Sequence, residues 1–277
     1  SQQMKLVFHG DKVKVRLLNR KLDAEIVQVT QTVKTLVGRL HINQDESYVV
    51  VDDRRIKHEI DIIELIDGCA DNQVVVVELL NSPTLEKNAS GKVTSIIGNY
   101  LDEGVEVDSA IHRHEIPANF GDKALEESAK LPNKVLAKDK KGRVDLTKLE
   151  LVTIDGEDSR DFDDAVYATP SKNGWKLIVA IADVSHYVKE GSQLDAESLE
   201  RGNSVYFPHR VVPMLPEAIS NGLCSLNPEV ERLCMVCEME INSLGLLLEY
   251  KFYSAVMLSH ARLTYTEVNE MLENKKS

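Results

Sequence analysis

The sequence predicts a multidomain chain in which an all-β region, forming small barrels or a sandwich, precedes an α/β or α+β region. Three observations carry this. Up to about Ile97, short β-branched runs alternate apolar with polar residues and are separated by turn residues. The character changes after Tyr100, and from Leu149 strand-like and helix-like segments alternate. The length, 277 residues with 43% hydrophobic and 28% charged content, suits about two domains of a globular protein.

In the first region the spacing predicts strands at 12–18, 24–30, 35–42, 48–52, 59–63, 73–80 and 92–97. His9-Gly10-Asp11, Asn43-Gln44-Asp45-Glu46 and Asn88-Ala89-Ser90-Gly91 supply turns. The strands up to residue 33 are too few to close alone, so 1–33 is read as the end of one barrel and 34–118, with a linker, as a complete second one. No clear period runs through 110–120. Residues 122–136 read as a helix that Pro132 must end or kink. A charged stretch at 138–142 is expected to be mobile. Strands follow at 149–154, 165–169, 175–181, 233–241 and 246–257, with helices at 195–201 and near 217–223. Thr264 and Glu267 fit a capping box at the start of a last helix. The third domain is therefore set at 119–277.

Composition excludes several classes. Apolar runs such as 74–77 fall far short of the roughly 20 residues of a membrane helix, and no charged-then-apolar leader opens the chain. A soluble, cytoplasmic protein without a membrane partner is expected. Four cysteines, Cys69, Cys224, Cys234 and Cys237, are too sparse for a disulfide framework and suit a reducing compartment. A net charge of −12 argues against a polybasic coat for nucleic acid, so any such site is a local groove. The first residue is Ser, Met stands at position 4, and the sequence stops as a helical pattern begins. The chain is read as a piece of a longer protein.

The chemistry concentrates at Asp155-Gly156-Glu157-Asp158-Ser159-Arg160-Asp161-Phe162-Asp163-Asp164. Six carboxylates and one Arg in these positions give a local charge of −5 between two apolar strands. Carboxylates so close repel one another unless a cation is present. Oxygen donors without His or Cys suit Mg²⁺ or Mn²⁺ and not zinc. An EF-hand fails, because position six of a loop starting at Asp155 is Arg160 and position twelve is Val166. In an extended segment Asp161 and Asp163 face one way and Asp164 the other, so joining them to Asp155 requires a turn or bulge around Gly156 and Asp161. Two divalent ions held by such carboxylates can activate a water and stabilise the oxygens of a phosphodiester during displacement. The alternative is a solvated acidic loop.

A second constellation, Tyr206-Phe207-Pro208-His209-Arg210, sets aromatic faces beside cationic groups and can stack bases and hold phosphate. Here the alternative is a core Phe207 with a half-buried Tyr206. Cys234 and Cys237 form a lone CxxC inside a strand pattern, a poor zinc site. Asp183, Ser185 and His186, read on one strand, alternate faces and do not make a catalytic triad.

These residues resemble the ribonuclease II superfamily and, within it, the bacterial ribonuclease R group. The likeness runs through Val152 to Val166, then Val179-Ala180-Ile181-Ala182-Asp183-Val184-Ser185-His186-Tyr187-Val188 and Ser204-Val205-Tyr206-Phe207-Pro208. Val212-Pro213-Met214-Leu215-Pro216, Leu223-Cys224-Ser225-Leu226-Asn227-Pro228 and Ser259-His260-Ala261-Arg262-Leu263-Thr264-Tyr265 continue it in order. The resemblance implies cold-shock-like OB-fold barrels followed by an incomplete ribonuclease II-type catalytic domain. It implies a processive 3′→5′ exoribonuclease that releases nucleoside 5′-monophosphates, acts on a single-stranded RNA 3′ end, uses Mg²⁺ or Mn²⁺, and is a monomer. Asp155, Asp161, Asp163 and Asp164 fall on the family's metal-site aspartates. Asp155 and Asp164 are then ligands, Asp161 supports the site, and Asp163 matters most to the chemical step. Tyr206 falls on the tyrosine that stacks on a base, with Arg210 beside it.

The resemblance also implies that an arginine, a glutamate and an S1 module of the family lie past residue 277, so this chain alone is expected to be inactive. Residues 35–98 hold only Tyr48 as an aromatic. RNA contact by the barrel therefore rests on Lys34, Arg39, Arg54, Arg55 and Lys57 meeting phosphates, and is expected to be weak and salt-sensitive. Two other readings compete: an RNA-binding module without catalysis, and a metal-dependent endonuclease.

Overall fold

The computed structural model describes residues 2–18, 24–44 and 46–274. The chain divides into two compact units, Ser1–Pro117 and Ala118–Ser277.

In the first unit, β1 (Lys12–Leu17) and β2 (Ala24–Gln31) form an antiparallel ribbon. The strands β3 (Thr35–Ile42), β4 (Ser47–Val51), β5 (Glu59–Glu64), β6 (Gln73–Asn81) and β7 (Ala89–Asn99) close a barrel in the order β3-β4-β5-β7-β6. Its interior is the inward half of the period-two pattern: Leu40, Val49, Ile60, Val75, Val77 and Val93 are almost wholly buried. At Gly38 a Cβ would meet the Val50 carbonyl oxygen at 2.3 Å, so this crossing of β3 and β4 needs glycine.

Two expectations are corrected here. Ala89, Ser90 and Gly91 belong to β7, because each pairs with β5, and the turn lies earlier, where Thr84 N donates to Lys87 O at 2.9 Å. A helix, α1 (Val105–Arg113), occupies part of the stretch read as linker. Its start is hidden behind Gly104 at φ 90°, and only Val105, Ser109 and Ile111 are buried. Val105 packs with Val37, Val74 and Val76. Asp45, in the expected turn at 43–46, lies outside the described residues, as do Lys275 to Ser277 of the final segment.

The second unit opens with α2 (Asp122–Ala129), shorter than the expected 122–136 and finished before Pro132. The stretch expected to be mobile forms a single 3-10 turn at Ala137–Lys140. Lys140 pairs with Glu231, and the Asp139 carboxylate lies 3.3 Å from His186 Nε2. Then come β8 (Val144–Leu146), β9 (Val152–Asp155), β10 (Asp164–Ser171), β11 (Gly174–Ala182), α3 (Val184–Tyr187) and α4 (Gln193–Arg201). They are followed by a small hairpin of β12 (Val205–Phe207) and β13 (Arg210–Val212) and by a π-helical turn at Ala218–Leu223. The chain continues with β14 (Glu231–Asn242), β15 (Leu247–Leu258), β16 (Ala261–Thr264) and α5 (Tyr265–Asn274).

Seven strands make one sheet in the order β16-β9-β10-β11-β14-β15-β8. It is antiparallel except for the β16–β9 and β15–β8 pairs, so the unit is α+β. Its core joins Leu151, Ala165, Ala180, Leu233, Val236 and Met257 of the sheet region to Ala124, Leu194 and Ile219 of the helical segments. The capping box forms as read: Thr264 N donates to Glu267 Oε2 at 2.7 Å and Glu267 N to Thr264 Oγ1 at 3.2 Å.

Candidate active site

β9 and β10 are antiparallel neighbours with Val152 opposite Val166. Asp155, the last residue of β9, and Asp164, the first of β10, therefore stand at one end of the sheet. An eight-residue loop, 156–163, joins them. It turns at Gly156, whose carbonyl accepts from Ser159 N at 3.2 Å, and it is anchored by Phe162, which is buried. The turn expected around Gly156 is thus present, whereas residues 159–163 run on without a turn or bulge.

The loop is held from two sides. Arg262 on β16 donates from Nη2 to the Glu157 carbonyl at 2.5 Å, and its guanidinium lies 5.0 Å from the centre of the Phe162 ring. From the other side the 224–227 segment and the end of β11 bond to the loop backbone.

The four aspartates share one electrostatic environment. Burial pushes the Asp155 carboxyl above its ordinary range, and the charges of Asp164 and Asp161 add to this against a smaller opposing pull from Arg262. Asp163 is raised by the desolvation of its crowded carboxyl and then by Asp161, Asp164 and Asp155. Asp155 Oδ2 is buried without a hydrogen-bond partner. An orphaned, buried carboxylate oxygen beside three like charges is the donor set that a hard cation satisfies, so these residues fit Mg²⁺ or Mn²⁺. Among the described residues, no three His, Cys, Asp or Glu side chains are drawn into a closed ligand group.

Tyr206, on β12, donates its hydroxyl to Asp161 Oδ1 while 54% of the residue remains exposed. Burial of the hydroxyl, that hydrogen bond and the nearby carboxylates raise its pKa. Its ring is thus tethered at one end and open on its face. Arg210, across the hairpin, pairs with Phe207, which is half-buried.

The remaining cations of the sequence reading sit in the first unit. Lys34 immediately precedes β3, and Arg54, Arg55 and Lys57 lie in the exposed β4–β5 connection. Arg39 is stacked 4.2 Å above the Tyr100 ring. Arg55 grips Asp53 through Nε at 2.9 Å and Nη2 at 2.7 Å. Tyr48 stacks on His41 with ring centres 5.1 Å apart.

Asp183, Ser185 and His186 lie on and around the α3 turn, so the strand geometry expected for them is wrong. Asp183 is buried and receives Arg143 Nη2 at 2.5 Å and Ser185 Oγ at 2.8 Å. Burial alone would raise this carboxyl, yet the hydrogen bonds from Arg143 and Ser185 and the charges of Arg143 and His186 hold it below the usual range. This is a structural ion pair. All four cysteines are free thiols, and Cys234 is buried in the core.

Sequence reasoning gave no role to Arg143, Arg262 or Ser225, although the last two stand in stretches that carry the family resemblance. Their partners are 40, 105 and 63 residues away, and nothing in the local pattern announces such pairings.

Residues 143–277 match the RNB domain family and residues 48–121 the cold shock domain family. Ribonuclease R of Vibrio cholerae is 49% identical over 278 residues, which cover 98% of this chain and 34% of that protein. The chain thus spans about a third of the length of the curated relatives it matches. Among solved structures, Mycoplasma genitalium RNase R in complex with ribose methylated single-stranded RNA superposes with a TM-score of 0.87 at 30% identity, covering 99% of this chain and 44% of that one. Yeast Ssd1, a pseudonuclease, shares the fold with a TM-score of 0.70 at 17% identity over 98% of this chain and 35% of that one.

Proposed function

The chain belongs to the ribonuclease II superfamily of RNB-domain proteins, and from that premise we propose that the protein carrying these residues is a divalent-metal-dependent 3′→5′ exoribonuclease. It hydrolyses a single-stranded RNA end to nucleoside 5′-monophosphates. One observation carries this reading: Asp155 and Asp164 stand at the adjoining ends of β9 and β10, the loop between them carries Asp161 and Asp163, and Asp155 Oδ2 is buried and unpartnered.

Asp155, Asp161, Asp163 and Asp164 hold Mg²⁺ or Mn²⁺, with Asp163 the carboxylate whose loss most harms the chemical step. Metal bound there supplies the positive charge that activates a water and stabilises the entering and leaving oxygens. Tyr206 offers its open ring face to a base near the 3′ end while its hydroxyl orients Asp161. Arg210, beside it on the hairpin, faces phosphate. In the barrel, Lys34, Arg54 and Lys57 lead a weaker, salt-sensitive contact with the RNA backbone. Arg39 and Arg55, already engaged with Tyr100 and Asp53, contribute less.

A monomer in the cytoplasm is the proposed setting, which the four free thiols suit. Among the described residues no helix is long and apolar enough to cross a membrane. Because the chain covers about a third of its relatives, these residues by themselves are proposed to bind metal without turning over RNA.

Digestion of 5′-labelled RNA with Mg²⁺ tests the reading, comparing this chain, a version extended to the relatives' length, and Asp163→Asn in each. Shortening to a small labelled product by the extended wild type alone is expected. A ladder of internal cuts would instead mean an endonuclease. RNA binding without any cleavage would leave a binding module, a role the fold alone permits.

A further inference from the structure

The loop that carries Asp161 and Asp163 has no regular secondary structure, yet its backbone is fixed peptide by peptide. Ser225, wholly buried, donates Oγ–H to the Arg160 carbonyl at 2.8 Å and accepts from Phe162 N–H at 3.1 Å. The Phe162 carbonyl accepts from Leu226 N at 2.8 Å, and the Asp163 carbonyl accepts from Ala182 N at 2.8 Å. Four consecutive peptide units, from 160–161 to 163–164, are therefore bonded to buried scaffold. Only the first two depend on a side chain, and both use the same hydroxyl.

Those two units flank the Asp161 Cα. Holding the plane on each side sets both backbone torsions of Asp161 and so the direction in which its carboxylate leaves the loop. Ser225 is itself braced, because its carbonyl accepts from Arg232 Nε and Asn227 N, each at 2.8 Å. One hydroxyl used fully as donor and acceptor, in a site without water access, has no substitute if removed.

We infer that Ser225 is a positioning residue for the metal centre: it touches neither metal nor RNA, and it aims Asp161 at Asp155, Asp163 and Asp164. The inference rests on the metal reading above.

Binding of Mn²⁺ to the chain, followed by the electron paramagnetic resonance of free and bound ion, tests it without any turnover. The variants are Ser225→Ala, Ser225→Thr and, as a control, Ser198→Ala. Ser198 is a buried serine whose hydroxyl serves only its own helix, at 3.0 Å from the Asp195 carbonyl. Loss of a buried hydroxyl that satisfies two groups is expected to weaken Mn²⁺ binding about tenfold in Ser225→Ala and to accelerate exchange of the Phe162 amide by a similar factor. Ser225→Thr should restore both, and Ser198→Ala should change neither. Should Ser225→Ala not fold, Ser225→Cys, with a weak donor and acceptor, carries the comparison. Wild-type affinity in Ser225→Ala, or equal losses in Ser225→Ala and Ser198→Ala, overturns the inference and leaves the metal reading intact. No Mn²⁺ binding by the wild type overturns both.

Discussion

Two groups of charges in the same sheet unit are built on opposite principles. At Arg143 and Asp183 a cation and an anion are buried together, with Ser185 completing the carboxylate's hydrogen bonds. At the end of β9 and β10 burial and then the neighbouring carboxylates push the pKa values of Asp155 and Asp163 up, and the opposing pull of Arg262 on Asp155 is smaller than that of those carboxylates. The first arrangement gains stability from its charges, and the second spends it. Like charges held together in this way are what the proposed metal site requires, so the contrast sets a structural pair against a site that a cation would complete.

Asp163→Asn should break the contrast most. In the extended protein we expect Mg²⁺-dependent release of mononucleotides to fall roughly 10³-fold, the several kcal/mol that metal-assisted charge stabilisation supplies. The metal-free variant should melt slightly higher than wild type, by about 2 °C, because one repelling charge is gone and solvent screens part of the effect. A fall in both activity and melting temperature would place Asp163 with Asp183, among the structural charges.

Asp183→Ala is the reciprocal change. Removing one partner strands Arg143 in a buried site, at a cost of about 3 kcal/mol, or on the order of 10 °C in melting temperature. The pH dependence has opposite signs at the two places. Asp183 has a lowered pKa when folded, so its contribution is present above the ordinary carboxylate range and is lost as pH falls through the lowered value. Asp155 and Asp163 have raised values, so their contribution is present below the ordinary range and is lost as pH rises through those values. Melting curves with chelator across the acid range should therefore lose their acid-side drop in Asp183→Ala and gain stability on the neutral side in Asp163→Asn. Saturating Mn²⁺ should stabilise only above the raised values, where the carboxylates are ionised.

The same contrast explains what could be read from the sequence. The barrel was legible because one inward residue in two, such as Ile60 and Ile62 between Glu59 and Asp61 on β5, repeats the sheet period. The acidic segment stood out by its density between two strand patterns, and the strands it was read between, β9 and β10, are there. The helix α1 was not, since two buried aliphatic residues behind a left-handed glycine make too faint a period. Three-residue strands such as β8 and β13 exist because a neighbour pairs with them, and a local pattern cannot show that. Nor could it show that Asp183 sits on a helical turn facing Arg143. The chemistry was visible where it depends on residue type, and invisible where it depends on who stands opposite.

Tyr206 sharpens the comparison at smaller amplitude, since it joins the anionic site through its hydroxyl and leaves its ring exposed, where we propose that RNA stacks. Tyr206→Ala should weaken binding of a single-stranded 3′ end about tenfold, within the range of one base stack. Tyr206→Phe keeps the ring and should bind RNA as wild type does, while losing affinity for Mn²⁺ by a smaller factor through the released Asp161. Equal RNA losses in both variants would show that the hydroxyl, and not the face, makes the contact.

The smallest effects belong to the barrel, where the same logic of paired against unpaired charge applies to cations. Arg55 is bound to Asp53 by hydrogen bonds from both Nε and Nη2, and that carboxyl is held well below its usual range, first by the Arg55 side-chain bond. The pair presents little net charge to a phosphate. Lys57, exposed two residues on, presents a whole one. Lys57→Ala should lower the slope of log K against log salt for RNA binding by about one, and Arg55→Ala should change it less because Arg55, held by Asp53, is not the cation that neutralises a phosphate. An Arg55 effect as large as that of Lys57, with the melting temperature unchanged, would mean that RNA displaces Asp53 from its partner. The β4–β5 connection would then be an RNA contact that opens on binding, and the rule drawn from the sheet unit would not extend to the barrel.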